Sequence, residues 1–248
     1  MSISIKRTGG LHTQGMNFLV YGAAGVGKTS LIRTLPKPII ISAEGGLLSL
    51  AGDNLDYIEI SSLDELKEAY SWIVSPEGKA YESVALDSIS EIAEVVLAHE
   101  KKANKDGRAA YGEMDVQISE IIRAFRDLPI HTLMTAKLEK QQDEMGKMLY
   151  FPSLPGNKTA QKLPYFFDEV LAMRAEKDAE GNTVRTLMCD TDGLWLAKDR
   201  SGKLNTWEAP DLSLVIKKIA QATPPAKPAP TKPTPTPTKA PTPAKAKQ

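Results

Sequence analysis

The stretch Gly22-Ala-Ala-Gly-Val-Gly-Lys-Thr29 matches the pattern G-x-x-x-x-G-K-[ST], a glycine-rich loop between a strand and a helix. Residues 16–21 before it form an apolar run typical of a buried strand, and residues 30–33 predict the start of a helix. Glycines let backbone N–H groups approach phosphate oxygens, and the N-terminal end of a helix favours a bound anion. The stretch therefore predicts a site for a nucleoside triphosphate.

Two side chains of this phosphate loop have distinct expected roles. Lys28 would neutralise the β- and γ-phosphates, and the Thr29 hydroxyl would ligate Mg²⁺. The residues expected to bind the nucleotide are Gly22, Ala23, Ala24, Gly25, Val26, Gly27, Lys28, Thr29 and Ser30.

Length and composition indicate one folded domain followed by a tail. The chain has 248 residues, of which 42% are hydrophobic, enough for one sizeable core. We predict a single core over residues 1–222, because no linker interrupts it. Residues 223–248 contain only Pro, Thr, Ala, Lys and Gln, so we expect a disordered tail biased to polyproline II. Its lysines could attract polyphosphate weakly, but we favour a dispensable segment.

Charge and cysteine content limit the protein class. Acidic and basic residues balance at 31 each, so any nucleic-acid-binding surface must be local. The single cysteine, Cys189, excludes an intramolecular disulfide and fits a reducing compartment. No apolar run approaches the ~18 residues of a membrane span, and the first residues lack a signal peptide. We expect a soluble, cytoplasmic protein with no membrane partner, in the host cytoplasm if the gene is a phage gene.

Apolar runs alternate with stretches of helical spacing through the first half of the chain. This alternation is typical of a parallel sheet in the α/β class. Ser62 and Glu65 fit a capping box at the start of one of the helices. Strands are predicted at residues 38–42, 57–60, 83–87 and 130–136, and helices at 63–74, 89–97 and 114–125.

The second half of the chain predicts an antiparallel extension of that sheet. Residues 169–174 and 183–189 flank a hairpin turn at 179–182. A further strand is expected at 195–199 and a closing helix at 212–220. The predicted fold is therefore a mostly parallel sheet flanked by helices, with an antiparallel C-terminal extension.

Two carboxylates follow predicted strands, where ligands of α/β proteins bind. Asp87 ends a strand and could hold Mg²⁺; alternatively, it caps the next helix. Glu44 comes just after the strand at 38–42 and could act as general base for the attacking water, or it is a solvated turn residue.

Three segments carry a resemblance to the RecA family. Ser42-Ala-Glu-Gly-Gly-Leu47 resembles the segment that holds the catalytic glutamate of that family, and Val84-Ala-Leu-Asp-Ser88 is similar to its Walker B strand. Lys198-Asp-Arg-Ser-Gly202 resembles the Lys-x-Arg-x-Gly element that RecA-like ATPases place across a subunit interface. These segments match in order over about residues 16–208. The chain resembles the phage nucleotide-binding group of RecA-like P-loop NTPases, whose best-studied members are core-only single-strand annealing recombinases.

The resemblance implies ATP and Mg²⁺ as cofactors and Glu44 as the catalytic base. Lys198 and Arg200 would complete the site of a neighbouring subunit, which implies self-association into a ring or filament. Thr135 stands where the family keeps a γ-phosphate sensor, usually Gln or Asn, and Lys137 is an alternative sensor. The implied activity is hydrolysis stimulated by single-stranded DNA, in annealing or strand exchange during phage recombination, with a single-strand-binding protein as a further partner.

Two segments after strands combine cations with aromatic residues, as sequence-tolerant binding of single-stranded DNA requires. The first is a predicted surface loop at 104–112, and the second is the long stretch at 137–168, which also carries Glu139, Asp143 and Glu144. Within the second segment we predict a hairpin turn at Met145-Gly146 and a short helix at 157–163. Tyr150 and Phe151 are the aromatic residues of the second segment. The residues expected to contact DNA are Lys105, Arg108, Tyr111, Lys137, Lys140, Lys147 and Lys158.

Two other functions use the same phosphate loop. A nucleotide or small-molecule kinase would need an arginine-rich lid, but residues 138–167 contain no arginine. A non-hydrolysing nucleotide-dependent assembly protein would leave Glu44 without a catalytic role. The sequence favours the ATPase over both.

Overall fold

A computed structural model describes residues 15–221 of the chain. The predicted tail at 223–248 therefore lies outside the described residues. The strands are β1 (Asn17–Gly22), β2 (Pro38–Ser42), β3 (Asp56–Glu59), β4 (Ser83–Asp87), β5 (His131–Gln142), β6 (Met148–Ser153), β7 (Glu169–Lys177), β8 (Thr183–Met188), β9 (Lys198–Asp199) and β10 (Trp207–Glu208). The helices are α1 (Leu63–Ile73), α2 (Ile89–Ala103), α3 (Gly107–Arg126), α4 (Asn157–Phe166) and α5 (Leu212–Ala220), with 3₁₀ turns at Thr29–Thr34, Leu47–Leu50 and Glu77–Ala80.

All ten strands belong to one mixed sheet in the order β10-β8-β7-β1-β5-β4-β2-β3, with β6 paired to β5 and β9 paired to β7. The strands from β3 to β7 along this order run parallel to their neighbours. The pairings of β6, β8, β9 and β10 are antiparallel. The prediction of a mostly parallel sheet with an antiparallel C-terminal extension is confirmed.

Apolar side chains cover both faces of the sheet, which explains the continuous apolar runs of its central strands. Leu19 and Tyr21 of β1 pack on one face with α1, α2 and α3, whereas Phe18 and Val20 pack on the other. That second face is covered by the 3₁₀ turn at Thr29–Thr34 and by α5. Burial on both faces fixes the position of β1 and, with it, the phosphate loop that follows.

The helix predicted after the phosphate loop is only a 3₁₀ turn of six residues, Thr29–Thr34. Pro36 and Pro38 follow immediately, and a residue before proline disfavours the helical conformation. The chain therefore enters β2 after about two 3₁₀ turns.

The surface loop predicted at 104–112 is wrong in extent. The α3 helix begins at Gly107, because the Asp106 carboxylate caps it by accepting the Arg108 N–H at 2.9 Å. Ala110, Met114 and Ile118 then bury one face of the helix, which outweighs the low helix propensity of the two glycines. Arg108 and Tyr111 accordingly lie on the first turns of α3 and not on a loop.

The long stretch at 137–168 is also ordered secondary structure. The β5 and β6 strands extend beyond the sheet as a hairpin, here called the arm, and the predicted turn at Met145-Gly146 is confirmed by a φ of +82° at Gly146. The helix predicted at 157–163 is confirmed as α4. The strand predicted at 195–199 is reduced to β9 and a single bridge from Trp195 to Tyr150.

Candidate functional site

The parallel strands bring the predicted site residues to one edge of the sheet. Gly22 at the end of β1 is in register with Lys137 of β5, and Ser42 at the end of β2 is in register with Asp87 of β4. The phosphate loop and Glu44 follow directly from these strand ends. They surround a cleft of about 660 Å³, a size typical of small-molecule sites.

Glycine is required at specific points of the phosphate loop. Gly25 and Gly27 have φ values of +72° and +110°, which other L-residues rarely adopt. Gly22 is constrained by space, because a Cβ atom there would lie 2.6 Å from the carbonyl oxygen of Met173 on β7. The buried Val26 side chain anchors the middle of the loop.

The Lys28 side chain folds back over the phosphate loop and donates hydrogen bonds to the first residues of the loop. Its Nζ donates to the carbonyl oxygens of Gly22 at 2.9 Å and Ala23 at 3.1 Å. Burial lowers the pKa of Lys28, while the negative charges of Asp87 and Glu44 act in the opposite direction. The ammonium thus lines the cleft beside its own loop, where phosphate oxygens would replace the two carbonyl acceptors.

Asp87 is held by two hydroxyl groups. The Thr29 hydroxyl donates to its Oδ2 at 2.6 Å, and the Thr135 hydroxyl donates to its Oδ1. Ser88, and not Asp87, caps α2 by accepting the Glu91 N–H. An oriented carboxylate beside a hydroxyl supplies the hard oxygen ligands that Mg²⁺ prefers, so these residues fit the metal.

Thr135 does not face the cleft as a phosphate sensor would. Its side chain is fully buried behind Asp87 and donates to that carboxylate. We therefore correct the sequence-based role: Thr135 orients Asp87. Lys137, two residues further along β5, lines the cleft and is better placed to contact a γ-phosphate.

Glu44 is positioned by the start of α2. Its Oε1 accepts the Ser88 hydroxyl at 2.5 Å and lies 3.9 Å from Nζ of Lys137. Lys137 in turn donates to Glu91 at 2.6 Å, and this hydrogen bond raises the pKa of Lys137. The Glu44 carboxylate lines the cleft together with Lys28, as a base for an attacking water requires.

A model of the AAA domain family matches residues 14–201, which include every residue of this cleft. The chain belongs to the AAA domain family. The family match and the sheet order agree with the predicted RecA-like P-loop ATPase core, and they support nucleotide binding by this AAA domain.

The comparisons with curated proteins and solved structures do not add a function to the family match. No curated protein matches the chain. Among solved structures, the AAA domain is similar to a KaiC-like protein from the hyperthermophilic archaeon Pyrococcus horikoshii OT3, with 12% identity and a TM-score of 0.40 over 71% of this chain and 78% of that one. None of the helices between residues 15 and 221 has the length and apolar character needed to cross a bilayer.

Sequence reasoning missed Arg185 of β8. Its Nε donates to the carbonyl oxygen of Val26 at 2.9 Å, across 159 residues of chain. Its Cδ lies 3.4 Å from the position that a Cβ of Gly27 would occupy. The arginine supports the phosphate loop from the antiparallel extension, and no local motif marks it.

Lys198 and Arg200 lie far from the phosphate loop of their own chain. Lys198 donates to the carbonyl oxygens of Pro164 and Phe167, each at 2.6 Å, and Arg200 pairs with Asp168 at 2.7 Å. The strand pairings place these contacts next to the start of β1, at the sheet edge opposite the loop. Their action on a neighbouring subunit stays a prediction.

The β9 strand, which carries Lys198 and ends just before Arg200, pairs with β7 at Glu169, whose carboxyl group is buried. Glu169 is 1% exposed, and its Oε2 has no hydrogen-bond partner in the described part of the chain. Burial, reinforced by the negative charge of Asp199, raises its pKa to about 9. At neutral pH the folded protein therefore holds a proton that the unfolded chain releases.

Glu169→Gln is expected to flatten the pH dependence of stability. Because the folded-state pKa exceeds the unfolded value, the wild type loses stability as pH rises from about 4.5 towards 9, with a limiting slope of ~1.4 kcal/mol per pH unit. The variant should match the wild type near pH 4 and exceed it at pH 8. Urea unfolding across this range measures the effect, with the exposed Glu68→Gln as control. Parallel curves for wild type and variant would refute it.

The structure brings the two predicted DNA-binding segments together. A Cβ at Gly156 would lie 3.4 Å from the Tyr111 ring, so the starts of α3 and α4 are neighbours. Tyr111 is partly exposed, and Lys101 lies over its ring at 5.3 Å. Lys105 and Arg108 are exposed near this point, whereas the side chain of Lys158 lies outside the described part of the chain.

Two lysines of the arm, Lys140 and Lys147, lie outside the phosphate loop and are exposed. Lys140 lies over the Tyr150 ring at 5.8 Å, and Lys147 is exposed near the hairpin turn. Both remain candidates for DNA contact. Lys137 lines the cleft and pairs with Glu91 at 2.6 Å, but its side chain is 51% exposed, so both of its expected roles, sensor and DNA contact, stay predictions.

Lys137→Ala is expected to lower ATP turnover by about 10²-fold, as the loss of one transition-state cation does elsewhere. Affinity for ADP should stay unchanged if Lys137 is the γ-phosphate sensor, because ADP lacks that phosphate. Phosphate release and nucleotide titration separate these effects, with the exposed Lys102→Ala as control. Loss of DNA affinity at full turnover would indicate the DNA-contact role instead.

Proposed function

We propose that this AAA domain hydrolyses Mg·ATP at the cleft. The observation that carries the proposal is the convergence of Lys28, Asp87 and Glu44 on one cavity from three different strand ends. A cation for the phosphates, an oriented carboxylate for the metal and a separate carboxylate for water are the parts that hydrolysis needs.

Each group has one task. The loop N–H groups and Lys28 bind the phosphates, while Thr29 and Asp87 would hold Mg²⁺, which supplies charge neutralisation when bound. Glu44 orients the attacking water and accepts its proton. Lys137, 3.9 Å from Glu44, adds positive charge near the γ-phosphate position.

We further propose that the active form is an oligomer on single-stranded DNA. The support is that Lys198 and Arg200 lie at the sheet edge opposite their own phosphate loop, and that the exposed Arg200 is free to leave its pair with Asp168. The neighbouring starts of α3 and α4 and the arm offer cations interleaved with aromatic rings for a nucleic-acid backbone and its bases. Annealing or strand exchange in phage recombination, in a ring or filament and beside a single-strand-binding protein, rests on the sequence resemblance.

ATPase assays with and without single-stranded DNA test this function against its two rivals. Stimulated phosphate release supports the recombinase. Transfer of phosphate to a small acceptor would identify a kinase. The arm argues against a kinase, because it is a hairpin without the arginines that a kinase lid would supply. Nucleotide binding without turnover would identify an assembly protein. Electron microscopy with single-stranded DNA and a non-hydrolysable ATP analogue tests the oligomer, and absence of ordered assemblies would contradict it.

A further inference from the structure

A second cavity, here called the aromatic groove, lies between the arm, α4 and residues 191–198. Its volume is about 730 Å³, larger than that of the nucleotide cleft. Tyr150, Phe151, Tyr165 and Trp195 supply its aromatic lining. Tyr150 and Phe151 also belong to the segment proposed for DNA contact, whereas Tyr165 and Trp195 have no role in the proposed function.

The rings of the groove are held in fixed positions. Trp195 stacks on Tyr150 with ring centroids 4.3 Å apart and planes 7° apart. Arg174 lies 5.1 Å from the Trp195 ring and fixes it further. The buried Tyr21 hydroxyl donates to the carbonyl oxygens of Tyr150 and Leu196, tying both walls to β1. The groove is therefore preorganised, which favours binding of a rigid partner.

One ring of the groove is largely uncovered in the described part of the chain. Tyr165, on the last turn of α4, is 80% exposed. A large aromatic side chain presented beside an apolar cavity is typical of a binding surface. Grooves lined by Trp and Tyr rings, with one ring exposed at the rim as Tyr165 is here, recognise proline-rich segments in the polyproline II conformation.

The chain itself contains a segment of this chemistry. Residues 222–248 include nine prolines, five lysines and no acidic residue. The charged residues that line the groove are Glu139, Lys140 and Lys198, so the lysines of the segment gain no net attraction there. The match between segment and groove is therefore that of prolines to aromatic rings.

The segment starts close enough to reach the groove. The Gln221 carbonyl accepts a hydrogen bond from Lys203, which follows the groove residue Lys198 by five positions. Five residues span at most about 18 Å. The 27 residues from 222 to 248 would span roughly 84 Å as polyproline II, several times the distance needed.

We propose that residues 222–248 dock in the aromatic groove of the same chain as a polyproline II segment. The proposal does not depend on ATP hydrolysis or DNA binding. Trp195 also lines a small cavity beside Ala24 and Val26 of the phosphate loop. Docking of the segment on Trp195 would therefore take place close to the phosphate loop.

Paramagnetic broadening in the full chain tests the docking. A nitroxide attached at Ala240→Cys should broaden the indole N–H resonance of Trp195 and leave that of Trp72 on α1 intact. The native Cys189 should stay unlabelled, because it is 1% exposed and burial raises its pKa to about 12. Tyr165→Ala should abolish the broadening of Trp195, whereas Tyr57→Ala, an exposed ring on β3, should preserve it.

Two further samples separate docking from other causes of proximity. Serine in place of all nine prolines keeps the lysines, so retained broadening would show electrostatic attraction and overturn the proposal. A mixture of labelled, NMR-silent chains with isotope-labelled, spin-free chains should show no broadening. Broadening in that mixture would show that the segment docks on a second chain and would contradict docking within one chain. Equal broadening of Trp195 and Trp72 would show that the segment does not prefer the groove.

Discussion

Glu44→Gln is expected to reduce ATP hydrolysis by about 10²- to 10⁴-fold, the usual contribution of a positioned general base. The amide retains the size of the side chain and can still accept the Ser88 hydroxyl, now made at 2.5 Å. It cannot accept a proton from water. ATP affinity should stay within about twofold, because the loop and Lys28 bind the phosphates without help from Glu44.

Single-turnover phosphate release and nucleotide titration measure the two quantities separately. Glu113→Gln, an exposed glutamate on α3, is the matched control and should behave as wild type. Unchanged turnover in Glu44→Gln would contradict the general-base role. Loss of ATP binding would indicate instead that Glu44 maintains the shape of the cleft.

Short-range sequence signals predicted the parts of the fold that depend on neighbouring residues. The capping box is one example: Ser62 accepts the Glu65 N–H at 3.2 Å, the Glu65 carboxylate accepts the Ser61 N–H at 2.6 Å, and α1 starts at Leu63. The phosphate loop is another, since Gly25 and Gly27 adopt the positive φ values that favour glycine. In both cases the determining interactions span only a few residues.

The same signals failed where distant contacts decide. Met114 and Ile118 of α3 are buried in the core against other elements, so two glycines that indicated a loop lie in a helix. Thr135 was expected to sense phosphate from its place at a strand end, but its neighbour across the sheet is the Asp87 carboxylate. Arg185 reaches the phosphate loop only because β8 folds back beside β7. Strand spacing alone does not reveal any of these contacts.

Arg200→Ala is expected to lower DNA-stimulated ATP hydrolysis by about 10³- to 10⁵-fold, the range for an arginine that neutralises transition-state charge. ATP binding should stay nearly intact, because Arg200 lies at the sheet edge opposite its own phosphate loop. Its ion pair with Asp168 involves a side chain that is 55% exposed. Such a pair contributes only about 0–1 kcal/mol, so Arg200 can leave it for a neighbour's phosphate at little cost.

Mixing two inactive variants distinguishes action on a neighbour from action within one chain. Lys28→Ala disables the phosphate loop but keeps Arg200, whereas Arg200→Ala keeps a complete loop but lacks the arginine. In mixed oligomers, a Lys28→Ala subunit can supply Arg200 to the loop of its Arg200→Ala neighbour, so part of the activity should return. Arg126→Ala, which removes a surface ion pair with Asp127, is the control for loss of positive charge. If the mixture stays inactive although ordered assemblies form, Arg200 does not act across the interface, and its pairing with Asp168 is structural.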